Sequence, residues 1–108
     1  MASTPLAVTV PVIVESSWLI ESRLGSAAEA RFLQSLMLGE IERLDMDDAD
    51  CSRVGKLVDS YADLGLGVVD ASVVAVAERL GVTQIATLDH RHFTVVRPSH
   101  IAAFELLL

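Results

Sequence analysis

The chain has 108 residues, 52% hydrophobic and 5% aromatic, which suits one small domain with a core of Leu, Val, Ile and Ala. Its formal charge of −7 argues against a passive nucleic-acid clamp, whose affinity comes from basic side chains on phosphates, and leaves an enzyme that reaches phosphates through a metal or a protein with a basic partner. One cysteine, Cys51, excludes an internal disulfide, and no run reaches the ~18 apolar residues of a membrane helix.

In chain order, Met1–Pro5 reads as a loose lead without the basic residues of a signal peptide, so the expected location is the cytoplasm. Leu6–Val10 is β-prone. Pro11 suits a first helical turn, and Pro11–Leu24 reads as a helix stopped by Gly25. Ser26 and Glu29 have the spacing of a capping box before a helix over Ala27–Leu38, which Gly39 closes. Glu40–Met46 alternates as a short strand. Asp47, Asp48 and Asp50 are acids at the start of a helix that runs to about Leu64, and they read as helix-start and solvent acids. After Gly65-Leu66-Gly67, Asp70 opens a helix to Leu80, with Gly81 as its C-terminal stop. Gln84–Leu88 reads as a buried strand, and Thr94–Arg97 and Phe104–Leu107 as short ones. Helices alternating with short apolar strands predict an α/β fold with a mostly parallel sheet flanked by helices. Cys51 is expected to be a small core residue, and Trp18 and Tyr61 to be packing residues.

Three carboxylates stand apart from the solvated ones. Glu15 shares a helix face with Val12 and Leu19 and is flanked by Trp18; a carboxylate there either reaches the helix edge or takes a partner such as a metal. Asp70 heads the stripe Val73, Val74 and Ala77, and is either a first-turn acid or a metal ligand. Asp89 follows the strand Gln84–Leu88, at the strand end where α/β sheets bind ligands, although Asp also favours turns. Converging acids suit Mg²⁺ or Mn²⁺, which prefer oxygen ligands, and phosphodiester hydrolysis needs no nucleophilic side chain when a metal activates water.

The runs Pro11-Val12-Ile13-Val14-Glu15, Leu66 to Ala75 around Asp70, and Ala86-Thr87-Leu88-Asp89-His90-Arg91-His92-Phe93, followed by Arg97-Pro98 and Phe104–Leu107, resemble in order and spacing the PIN-domain ribonucleases, in particular VapC-type toxins. The resemblance implies a three-layer PIN-like domain over residues 1–108 and a Mg²⁺- or Mn²⁺-dependent endoribonuclease. It implies the toxin half of a toxin–antitoxin pair, a homodimer held by a VapB-type antitoxin, with Glu15, Asp70 and Asp89 as catalytic and metal-binding acids and Thr87 beside them. One departure stands out: the family begins with a strand that carries its first acid, and no acid precedes Glu15 here. On that pattern the domain is N-terminally incomplete. A catalytically impaired module that only binds an antitoxin or dimerises is the competing expectation. A receiver or small phosphatase ranks last, because the only lysine, Lys56, falls inside a predicted helix.

His90, His92 and His100 lie close in sequence. Without a closed ligand set they read as polar surface or RNA contact in preference to zinc. Arg91 is a candidate phosphate contact, with a solvated side chain as the alternative.

Overall fold

The computed structural model describes residues 6–87 and 90–107. Two compact units divide at Asp45 and Met46.

The first unit, described from Leu6, pairs β1 (Ala7–Thr9) in parallel with β2 (Glu42–Leu44), with Ala7 opposite Glu42 and Thr9 opposite Leu44. Between them run α1 (Val10–Leu24) and α2 (Ser26–Met37), which pack on each other. Pro11 occupies the first turn of α1, where its missing N–H costs no helical bond. Gly25 has φ 88° and ψ 173°, a conformation open essentially to glycine alone, and so the chain turns between two helices in one residue. This Gly25 also replaces the expected Ser26 cap: Ser26 is the first helical residue, and the Ser26–Glu29 capping box does not form.

The second unit holds the core. Here α3 (Asp48–Ser60), a 3₁₀ turn (Ala62–Leu64) and α4 (Val68–Leu80) precede β3 (Gln84–Ala86), which pairs in parallel with β4 (Glu105–Leu107). Parallel pairing is extended at both ends, where the Glu105 N–H donates to the Thr83 carbonyl (2.9 Å) and the Thr87 N–H to the Leu107 carbonyl (3.1 Å). Among the described residues the chain is thus α/β with four helices and two parallel strand pairs, the fold class expected. Val54 and Leu57 of α3 meet Ala71, Val74, Ala75 and Ala77 of α4, and Leu66, Ile85, Phe93, Val96 and Phe104 complete the cluster. The rings of Phe93 and Phe104 meet edge to face with centroids 6.5 Å apart. Gly81, at φ 70°, closes α4 in the left-handed conformation its position predicts.

Two ion-pair systems tie α3 to α4. Arg53 donates Nε–H to Glu78 Oε1 (2.8 Å) and Nη2–H to Oε2 (3.0 Å), a two-point match of guanidinium and carboxylate. The Ser99 N–H also donates to Glu78 Oε2 (2.8 Å), which secures the segment before β4. Burial pushes the Glu78 carboxyl up, but the bonds from Arg53 and Ser99 outweigh it and hold the group below its ordinary value. Arg79 donates Nε–H to both oxygens of Asp50, at 3.0 and 2.8 Å.

Several local expectations change. Asp50 is 3% exposed and is no solvent acid; with Asp47 it forms a capping box, Asp50 N–H to Asp47 Oδ1 (2.8 Å) and Asp47 N–H to Asp50 Oδ2 (3.1 Å). Helix α3 ends at Ser60, and the 3₁₀ turn takes up the rest of the expected helix. Cys51 is exposed, and Asp50, Val54 and Leu57 carry the buried face of α3. Trp18 is 65% exposed, while Tyr61 does pack on the core and accepts the Arg97 N–H at its hydroxyl (2.9 Å). Thr94–Arg97 is no strand. The carbonyl of His90 accepts from Thr94 N–H, and that of His92 from Val95 and Val96 N–H, so this stretch coils and buries Phe93 and Val96 three residues apart.

Candidate functional site

Asp70 is the third residue of α4, not its first, since the helix begins two residues earlier at Val68. Gly67 occupies the N-cap with no side chain to offer, and Asp70 stands in the first turn, at the positive end of the helix dipole. Next to it Ala71 and Val74 are buried, and the Ser72 hydroxyl donates to the Val69 carbonyl (2.6 Å). The first turn is therefore fixed to the core while the Asp70 carboxylate keeps 36% of its surface in water.

His92 reaches that carboxylate from the segment between β3 and β4. Its Nδ1 lies 2.6 Å from Asp70 Oδ2. An ionised carboxylate only accepts, so Nδ1 carries the proton in this bond. The ring is 17% exposed, and the buried Phe93 beside it anchors the backbone that carries it. The other two histidines bond to backbone instead: His90 Nε2 with the Thr87 carbonyl (3.0 Å) and His100 Nε2 with the Val82 carbonyl (2.7 Å).

The remaining candidates fall as follows. Thr87 is half-buried just past β3, and Arg91 is exposed in the coiled stretch that leads to His92. Asp89 lies outside the described residues. Glu15 belongs to the first unit, where it is exposed on α1 beside the exposed Val14 and Trp18. Water reaches its carboxylate, so the desolvation argument for a bound partner at Glu15 lapses and its assignment rests on the family resemblance. Asp70 suits a divalent cation in kind, being a hard, partly hydrated oxygen donor with a histidine bonded to one oxygen, the arrangement typical of metal-binding carboxylates. Among the described residues no three His, Cys, Asp or Glu side chains come together as a metal-holding group. Sequence reasoning missed the Asp70–His92 pair; the spacing of Phe93 and Val96 as core anchors was the signal that would turn His92 inward.

This arrangement, an acid at a helix start held by a residue from the segment after a parallel strand, is accompanied by a match to the PIN domain family over residues 1–97. The chain belongs to the PIN-domain family, of the VapC type. Its sequence is 34% identical over 93 residues to Ribonuclease VapC26 of Mycobacterium tuberculosis, a similarity that covers 86% of this chain and 69% of that protein. Among the described residues no helix is long and apolar enough to cross a membrane.

Proposed function

We propose that this protein is a Mg²⁺- or Mn²⁺-dependent endoribonuclease, the toxin of a toxin–antitoxin pair, in which Glu15, Asp70 and Asp89 are the catalytic and metal-binding acids. The observation that carries this reading is the PIN match, which runs over residues 1–97 and takes in all three acids. The similarity to a protein named as a ribonuclease supports RNA as the substrate, and its VapC name supports a VapB-type antitoxin as the partner. A homodimer in the cytoplasm is the form in which we expect it to act.

When bound, the cation supplies activation of a water and neutralisation of charge on the phosphate. Asp70 is held ready by α4 and His92. Arg91, exposed in the adjoining stretch, contacts the RNA backbone, and Thr87, just past β3, is the second substrate-binding residue.

The test is cleavage of single-stranded RNA by the purified protein with Mg²⁺ or Mn²⁺, with EDTA, and with Asp70→Asn. We expect cleavage only with metal, and a fall of at least about 100-fold for the variant, since loss of a ligand exceeds the effect of losing a residue that supports one. Cleavage that survives EDTA and Asp70→Asn together would sink the proposal. A protein that captures its antitoxin but cleaves nothing under any condition is the binding module instead.

A further inference from the structure

We infer that His92 is a positioning residue for this site: through Nδ1 it fixes the Asp70 carboxylate in the orientation in which that acid serves the cation. The inference rests on the proposed role of Asp70 and adds a residue that the set of acids does not contain.

Geometry supports it first. The Nδ1–Oδ2 separation of 2.6 Å is at the short end for such a bond, and the ring is mostly buried, so burial as well as the bond restricts it. The scaffold supports it next. The His92 carbonyl accepts from the N–H groups of Val95 (3.1 Å) and Val96 (3.0 Å), and the buried Phe93 and Val96 tie that coil into the core.

The strongest support comes from another acid in the same unit. Asp50 and Asp70 occupy the same position, third in α3 and third in α4. Asp50 folds back onto the N-cap amide of Asp47, the ordinary use of an acid there. In α4 no side-chain capping bond forms, and Asp70 Oδ2 goes to His92 instead. His92 thus competes with the helix's own amides for this carboxylate and draws it to the coiled stretch between β3 and β4.

Asn and Gln replacements separate the two ring nitrogens. In His92→Asn the side-chain amide nitrogen comes close to where Nδ1 stands, whereas in His92→Gln it falls near the place of Nε2. The experiment measures Mn²⁺ binding by electron paramagnetic resonance and RNA cleavage for wild type, His92→Ala, His92→Asn and His92→Gln, with melting temperature as a check on folding. We expect His92→Ala and His92→Gln to bind Mn²⁺ about 10- to 100-fold more weakly, the range seen for residues that orient metal ligands, while His92→Asn stays within a few-fold of wild type. The Mg²⁺ concentration for half-maximal cleavage should rise in parallel. A wild type that binds Mn²⁺ and a folded His92→Ala that binds and cleaves equally well would overturn the inference and leave the proposed function standing. A wild type that binds no Mn²⁺ would overturn both.

Discussion

The starts of α3 and α4 make an informative comparison. Both helices carry an aspartate at the third position, Asp50 and Asp70, yet the two acids have opposite circumstances. Asp50 is almost wholly buried, bonds the Asp47 N–H, and takes Arg79 Nε on both oxygens. Asp70 stays more than a third exposed and, among the described residues, is held by the His92 imidazole. The helix supplies the same dipole to each, so the difference lies in what the rest of the chain brings. An Arg from the far end of α4 saturates one acid, and a loop histidine orients the other without closing it off. Saturation serves stability, and an acid with water at its side remains available for chemistry.

The comparison breaks most visibly at Asp50. Removing one partner of a buried ion pair leaves the other charge uncompensated, and here the capping box goes as well. Asp50→Ala should cost about 3 kcal/mol in urea unfolding, with Arg79, partly exposed, keeping the loss from being larger. Cleavage per folded molecule should be unchanged. A loss below about 0.5 kcal/mol, the range of ordinary surface changes, would show that burial of Asp50 is not the distinguishing feature.

Neither acid's fate is legible locally. The sequence pattern of acids before an apolar stripe places both at helix starts, and α4 with its Gly81 stop, the parallel strands and the α/β class follow from periodicity and turn chemistry. What decides between the two acids comes from far along the chain, 29 residues away for Arg79 and 22 for His92, and pairings at that separation leave no mark in a local window. The coil at His90–Val96 escapes a local reading for a related reason. Thr94, Val95 and Val96 have strand-forming side chains, but burying Phe93 and Val96 together requires a three-residue spacing, and tertiary packing overrides propensity. Glu15 draws attention through apolar neighbours that in the fold do not cover it.

Glu78 sharpens the comparison, being another acid of α4 and one saturated in the manner of Asp50, by Arg53 and the Ser99 N–H. Glu78→Gln keeps the shape and removes the charge, and should cost about 2 kcal/mol at neutral pH, the scale of hydrogen bonds to a charged group. Its pH dependence has a definite sign. Because the folded carboxyl titrates below its ordinary 4.5, folding favours the ionised form, so its contribution is complete above that pH and fades as the pH falls through the lower folded value. The stability gap between wild type and Glu78→Gln should therefore hold steady from pH 7 to about 5 and narrow below 4.5. A gap that widens on acidification would reverse the assignment.

The smallest effect on stability is expected at Asp70, the acid proposed to serve the cation. Asp70→Asn removes a charge from the first turn of α4, where the helix dipole favours an anion by about 0.3–1 kcal/mol at an exposed position. The amide still offers His92 an oxygen to accept the Nδ1 proton. Unfolding should therefore change by less than about 1 kcal/mol, while RNA cleavage falls by two orders of magnitude or more. Asp50→Ala reverses that ratio, with stability lost and chemistry kept. If Asp70→Asn instead destabilised the protein as much as Asp50→Ala, the Asp70–His92 bond would be another structural clamp, and the division between the two helix starts would fail at the acid proposed to serve the cation.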